Sequence, residues 1–289
     1  VTEVIYLRPR SLHQAALDLA EWGERSRILA GGTDLLIAMR RETVQPKAIV
    51  DITCLDELRG IHQQDGLITI GAMTTHGEIQ HNRELAHLAP LLVKACGEIG
   101  SVQIRNLGTI GGNLINASPA GDTIPALFVL DAEIYLYSTQ GDRWVKVVDF
   151  FLAPGKTIRR PDEILAGIRF SPLNGTWKTF FEKIGQRRAM RVAKVSAAGG
   201  MCLENDRIIN CRLALGAVAP TVIRLKNAEE ALIGDELNRD KIDKAAYIAA
   251  KACCPIDDIR STTDYRRAMA SVLIRRELEK IYNEVRFDR

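Results

Sequence analysis

The ten residues Gly-Thr-Ile-Gly-Gly-Asn-Leu-Ile-Asn-Ala from Gly108 to Ala117, followed by Ser118-Pro119 and Asp122, are the part of this chain best suited to holding a ligand. Glycines this close together let backbone approach a bound molecule, and N–H groups in such a turn cradle phosphate oxygens. Thr109 and Asn113 beside them add side-chain hydrogen bonds. An earlier stretch, Leu29-Ala30-Gly31-Gly32-Thr33-Asp34, offers a second cradle. A single Gly-Gly turn is most often plain punctuation. Two such loops together point to a ligand with a pyrophosphate.

No other residue set competes for chemistry. The five histidines, His13, His62, His76, His81 and His87, have no motif around them, so neither a nucleophile with its base nor a metal site is assigned. The six cysteines, Cys54, Cys96, Cys202, Cys211, Cys253 and Cys254, are scattered; without a C-x-x-C or His/Cys cluster they read as reduced thiols. Catalytic residues and metal ligands are therefore both expected to be none. With 39 Lys and Arg against 36 Asp and Glu the net charge is +3, too balanced for a nucleic-acid footprint. The pairs Arg159-Arg160 and Arg187-Arg188 read as solvated surface. No apolar run approaches the ~20 residues of a spanning helix, and no basic-then-apolar leader opens the sequence. The expectation is a cytoplasmic protein without membrane insertion.

The elements that must position the loops read as an α+β pattern. Ser11 caps a helix with Leu12, Ala15, Ala16, Leu19 and Ala20 on one face; residues 27–30 read as a strand, and 35–40 as a helix with Thr33 or Asp34 near its cap. Strand, glycine loop and helix in that order put N–H donors and a positive helix end at one place. The glycine spacing is not that of G-x-G-x-x-G, and no βαβ repeat follows, which excludes a Rossmann dinucleotide fold. Strands are predicted at 48–52, 67–71, 133–138, 143–147 and 164–170, and helices at 75–80, 85–99 and 123–130. Pro172, Asn174 and Gly175 mark a boundary. Beyond it come strands at 180–184, 192–203 and 207–217, then about 70 residues of helical pattern.

Ala30-Gly31-Gly32-Thr33-Asp34, then Gln103-Ile104-Arg105-Asn106-Leu107-Gly108-Thr109-Ile110-Gly111-Gly112-Asn113, then Tyr265-Arg266-Arg267-Ala268-Met269 before the end, together resemble the FAD-binding medium subunit of the molybdenum hydroxylases. That family includes xanthine dehydrogenase and carbon monoxide dehydrogenase. The resemblance implies residues 1–173 as an FAD-binding domain of two subdomains, of the kind shared with p-cresol methylhydroxylase and vanillyl-alcohol oxidase. A smaller α+β C-terminal domain then spans 174–289.

It also implies site residues. Ala30, Gly31, Gly32, Thr33 and Asp34 would bind the FAD pyrophosphate through backbone amides, with Leu29 and Leu35 packing beside them. Gly108, Thr109, Ile110, Gly111, Gly112 and Asn113 would form the second loop. Ser118 and Asp122 fall at cofactor-contacting positions, Asp122 toward ribityl or ribose hydroxyls; a helix N-cap is the alternative for Asp122. Ile99, Ile104, Ile115 and Leu165 match apolar positions beside the adenine or isoalloxazine, although such residues also build cores; at Ile99 some relatives carry an aromatic. Lys183 matches a lysine near the flavin ring, against the alternative of a surface lysine on an edge strand.

The implied activity is an electron relay with molybdopterin on a large subunit, iron–sulfur clusters on a small subunit, and FAD here passing electrons to an acceptor such as NAD. Asn116-Ala117-Ser118-Pro119 is nearer the purine hydroxylase version, of xanthine dehydrogenase type, than the Ala-Asp-Pro form of the carbon monoxide dehydrogenase branch. The cysteine-bearing insertion of hydroxybenzoyl-CoA reductases is missing. Two other readings stand beside this one: a stand-alone FAD-dependent oxidase or dehydrogenase, and a catalytically silent FAD-binding scaffold.

Overall fold

A computed structural model describes residues 3–173, 175–187, 190–205 and 207–287; Asn174 and Arg188, singled out above, lie outside them. In chain order the helices are α1 (Leu12–Trp22), α2 (Leu35–Arg40), α3 (His76–His81), α4 (Arg83–Leu88), α5 (Pro90–Gly97), α6 (Val102–Leu107), α7 (Ile110–Asn116), α8 (Thr123–Val129), α9 (Lys226–Leu232), α10 (Arg239–Ala252) and α11 (Thr263–Phe287). Ser11 caps α1 by accepting from Gln14 N at 3.2 Å. Ala15, Ala16 and Leu19 are buried as their spacing requires, but Ala20 is exposed. The single helix expected over 85–99 is two. Ala89 leaves helical geometry at φ −149°, ψ 56°, and Pro90, with its fixed φ and no N–H to lose, restarts the next.

The chain folds into two compact units. One holds the chain up to Ile79, Ser101–Ala117 and Asp131–Ser171; the other holds Gln80–Gly100, Ser118–Leu130 and the chain from Pro172 on. The expected 173/174 cut lies beside the last of these crossings.

In the first unit, β1 (Ile5–Leu7), β2 (Ser26–Leu29) and β3 (Ala48–Asp51) form a parallel sheet in the order β1-β3-β2. Parallel strands need crossovers: α1 lies in the connection from β1 to β2, and α2 in that from β2 to its neighbour β3. All four residues of the central strand β3 are buried. The second sheet is antiparallel: β4 (Ile61–Gln64), β5 (Leu67–Gly71), β6 (Glu133–Ser138) and β7 (Gly141–Lys146) join the later strand at Ile164–Phe170. Strands β8 (Phe151–Ala153) and β9 (Lys156–Thr157) make a hairpin, so that later strand is β10 and the sheet order is β4-β5-β10-β6-β7. Burial along β6 alternates strictly, the period-2 signal that made it legible. Ala15, Ala16 and Leu19 of α1 share a core with Val50, Leu58, Met73 and Ile164.

One charge reading changes. Glu163 is fully buried and accepts from Arg143 Nε at 2.8 Å, Arg143 Nη2 at 3.1 Å and Arg160 N at 2.7 Å. Arg159 donates to the Glu163 carbonyl at 2.6 Å, and Arg160 pairs with its carboxylate at 3.1 Å. Arg159-Arg160 is thus a brace around a buried carboxylate and not merely solvated surface. Burial pushes the Glu163 pKa up, but the hydrogen bonds and charges from Arg143 and Arg160 outweigh it and hold it low.

In the second unit, β11 (Trp177–Ile184), β12 (Val195–Glu204), β13 (Arg207–Gly216) and β14 (Ile223–Arg224) form an antiparallel sheet in that order. Val195, Ala197 and Met201 share a core with Leu273, Ile274 and Leu278 of α11. Side chains alternate across a strand, and on the opposite face a Cβ at Gly200 would lie 3.3 Å from Val129 of α8. Covered on both faces, β12 buries its first eight residues.

His76 gives a pH test of the first unit. It is 2% exposed, its backbone N–H donates to Gly108 O at 3.0 Å, and burial, helped by Arg105, lowers its pKa to about 4. The unfolded chain, with a histidine near 6.5, binds the proton first, so stability is full above that pH and falls as pH drops toward 4. Between pH 6.5 and 4.5 this contribution is about 2 kcal/mol. Urea titrations across that range should show a shallower pH dependence for His76→Gln than for the wild type. Parallel profiles would contradict the assignment.

Candidate functional site

The first glycine stretch leaves strand β2 at Leu29 and enters α2 at Leu35. Among the described residues, the backbone N–H groups of Gly31, Gly32, Thr33, Asp34 and Leu35 have no hydrogen-bond partner. Asp34 stands at the N-cap position but makes no side-chain cap bond. Its carboxylate instead accepts from Asn116 Nδ2 at 3.3 Å and Thr33 Oγ1 at 3.3 Å. These residues are partly exposed, so water can serve their amides, and an anion can replace the water. Five unpartnered amides leading into a helix N-terminus are a phosphate-binding arrangement.

The second stretch is not a loop of free amides. Gly111, Gly112 and Asn113 lie in the first turn of α7, and Thr109 is its N-cap, accepting from Gly112 N at 3.1 Å. Gly108 N donates to Ile104 O at 2.7 Å, Ile110 N to Thr74 O at 3.0 Å, Gly111 N to Ala72 O at 2.9 Å and Asn113 N to Thr109 O at 3.0 Å. Those donors are already used. The first stretch therefore supplies the amides, and the second supplies shape.

The glycines divide the same way. A Cβ on Gly31 would sit 1.9 Å from the Leu107 carbonyl oxygen, and one on Gly111 would sit 2.7 Å from Ala72 Cβ. These two are required by backbone packing. A Cβ on Gly112 would meet only Thr109 Oγ1, at 3.0 Å, and otherwise open space. The Gly31 contact and the Asn116–Asp34 bond show that the two stretches abut.

Of the apolar candidates, Leu29, Ala30, Leu35, Ile104 and Ile115 are half-buried in the same unit. Ile110 at 0% and Leu165 at 4% exposure belong to the core and leave almost no side-chain surface for a ligand.

Ile99, Ser118, Asp122 and Lys183 belong to the second unit. Ile99 is half-buried, and Ser118 Oγ accepts from Ala120 N at 3.3 Å. Lys183 is no surface lysine: its side chain is 0% exposed and its Nζ donates to Asp122 Oδ2 at 2.7 Å, Glu98 O at 2.8 Å and Arg191 O at 3.0 Å. An ammonium has three N–H groups, and all three are engaged. Asp122 does not cap α8; its backbone is helical and no cap bond forms. Its Oδ1 is buried without a partner. Burial raises the Asp122 pKa to about 6 against the pull of Lys183. Sequence reading missed Glu98 and Arg191, which pair at 2.6 Å across 93 residues; no local pattern could have signalled them.

The glycine roles predict opposite effects on stability. Gly31→Ala must displace backbone and should cost about 3 kcal/mol in urea unfolding. Gly112→Asp should fold with stability within about 1 kcal/mol of the wild type, since only a side-chain oxygen must yield and an acidic residue suits the first turn of a helix. Equal losses in both variants would refute the division.

Comparison with known proteins fits this geometry. Residues 2–172 match the family described as "FAD binding domain in molybdopterin dehydrogenase", and residues 180–281 match "CO dehydrogenase flavoprotein C-terminal domain". The chain is 34% identical to the glyceraldehyde dehydrogenase medium chain of Sulfolobus acidocaldarius, over 96% of this chain and 98% of that one. It is 30% identical to the xanthine dehydrogenase FAD-binding subunit of Escherichia coli O157:H7, over 93% of this chain and 95% of that one. Its fold superposes on a chain of the carbon monoxide dehydrogenase of Hydrogenophaga pseudoflava with a TM-score of 0.93, at 31% identity and 96% coverage of both chains. The chain belongs to the FAD-binding medium subunits of the molybdenum hydroxylase family.

Proposed function

We propose that this chain is an electron-transfer subunit that holds FAD non-covalently, takes electrons from iron–sulfur clusters on a small partner subunit, and passes them to an acceptor such as NAD. Those electrons originate from a substrate oxidised at molybdopterin on a large partner subunit. The observation that carries the reading is the run of five unpartnered amides, Gly31 to Leu35, set against α7. The partners follow from the relatives, which are named as medium chains or FAD-binding subunits.

Bound FAD supplies the redox chemistry. What the chain supplies is position and charge. The amides of Gly31, Gly32, Thr33, Asp34 and Leu35, with the N-terminal end of α2, would hold the FAD pyrophosphate. Gly112 lets the chain come close without a side chain between, and the Thr109 hydroxyl keeps the start of α7 in shape. Asp122 Oδ1, buried without a partner, would accept from a ribityl or ribose hydroxyl of the cofactor. Lys183 fixes the Asp122 carboxylate and, with its donors spent, serves as its counter-ion.

The reading extends to a purine hydroxylase of xanthine dehydrogenase type on one feature alone, the Asn116-Ala117-Ser118-Pro119 stretch. Identities of 30 to 34% to relatives of different named activity do not select a substrate.

Acid precipitation of the purified chain should release free FAD, and Gly112→Asp should purify folded and without flavin, because its carboxylate repels the pyrophosphate. The isolated FAD-loaded chain, mixed anaerobically with purines, nicotinate or aldehydes, should keep its visible flavin absorbance, yet lose it to dithionite. Direct bleaching by a substrate would replace the relay with a stand-alone flavoenzyme; flavin that dithionite cannot reduce would indicate a silent scaffold.

A further inference from the structure

Two glycines in its first turn make α7 a poor helix by intrinsic preference, so its start has to be set from outside. Residues 72–76, between β5 and α3, do this. Ala72 O accepts from Gly111 N at 2.9 Å, Thr74 O accepts from Ile110 N at 3.0 Å, and His76 N donates to Gly108 O at 3.0 Å. Thr75 and Thr109 form an antiparallel bridge within the same pairing. The approach is close: a Cβ on Gly111 would sit 2.8 Å from Ala72 O. Gly108 follows Leu107, whose carbonyl oxygen stands beside Gly31. Where residues 72–76 lie therefore decides where Leu107 meets the amide run.

The strip is anchored first by backbone, with Ala72 N donating to Ala166 O at 3.0 Å and Met73 N to Leu58 O at 2.8 Å. At Thr74 the anchor is a side chain. Thr74 is 1% exposed, and its Oγ1 accepts from Gly60 N at 3.1 Å and donates to Gly60 O at 3.1 Å. A hydroxyl is donor and acceptor at once, so one side chain closes on both backbone groups of one residue. Among the described residues, Gly60 N has no other acceptor. We propose that Thr74 is a positioning residue for the cofactor site: by clasping Gly60 it fixes the strip that sets residues 108–111 and, through Leu107, the amides of residues 31–35. The inference rests on the FAD reading above. With its hydroxyl engaged by Gly60, Thr74 acts on the cofactor through backbone alone.

The test compares purified full-length Thr74→Val, which keeps the shape and removes the hydroxyl, with Thr74→Ser, which keeps the hydroxyl, and with Ser138→Ala. Ser138 is 3% exposed in the same unit, and its Oγ donates to Gly141 O at 2.9 Å and accepts from Gln140 N at 3.2 Å. It locks the β6–β7 turn by a similar clasp, remote in sequence from both glycine stretches. FAD affinity is read by flavin fluorescence titration, and hydrogen exchange at the Ile110 and Gly111 amides is read in the flavin-free chain. Thr74→Val should weaken FAD binding about tenfold and Thr74→Ser by no more than about twofold, the scale of one hydrogen bond lost or kept. Thr74→Val alone should speed exchange at Ile110 and Gly111, while Ser138→Ala should lower the thermal midpoint and leave both readouts at wild-type values. Wild-type FAD affinity in Thr74→Val, or unchanged exchange at Ile110 and Gly111, would overturn the proposal. So would Ser138→Ala weakening FAD binding equally, which would make the effect one of general stability. Thr74→Ala, read in the same way, covers the case in which the valine variant does not fold. A wild-type chain that binds no FAD would sink the cofactor reading itself, and the exchange rates of the flavin-free variants would still test the clasp.

Discussion

The carbonyl oxygen of Leu107 occupies the space that a side chain on residue 31 would need, at 1.9 Å from where its Cβ would stand. Most of the site depends on that approach. It places the end of α6 against the first glycine stretch, with Gly108 and α7 following immediately in the chain. Gly31 to Asp34 turn between β2 and α2 without joining a ladder, and Leu35 opens α2, where first-turn N–H groups have no intrahelical partner, so these five amides stay unpartnered. Backbone donors rarely go unpaired where water cannot reach them; here they remain partly exposed, so water can serve them.

The two glycine stretches look alike in sequence and differ in physical role. Gly108 and Ile110 to Asn113 spend their amides on Ala72, Thr74, Ile104 and the Thr109 hydroxyl and carbonyl. Only the accounting of each N–H separates donors left open from donors already bonded. Sequence could not supply it, since Ala72 and Thr74 lie more than thirty residues before their donors. Nor did it reveal α7 as a helix, because glycine disfavours helices; the Thr109 cap and the contact with Ala72 impose one. The six residues of α6 have no buried face and so left no periodic signal. Where a local cause existed, the reading matched: Ser11 and the spacing of α1, the alternation of β6, and the span of α2.

In the second unit the informative feature is a charge balance. Lys183 was expected either beside the flavin ring or on the surface of an edge strand, and its neighbours use every N–H it has. An ion pair taken out of water holds only when its remaining hydrogen-bonding capacity is met. Lys183 meets that condition; Asp122, with one oxygen unpartnered, does not. The carboxylate therefore carries the unspent capacity of the pair.

Amide hydrogen exchange on the purified chain, with and without FAD, tests the division of roles most directly. Binding of FAD should slow exchange sharply at Gly31 to Leu35, whose amides gain partners, and leave Gly108 and Ile110 to Asn113 nearly unchanged, because those amides are bonded already. Protection gained at Gly108 to Asn113 with none at Gly31 to Leu35 would contradict the assignment of the first stretch as the pyrophosphate cradle.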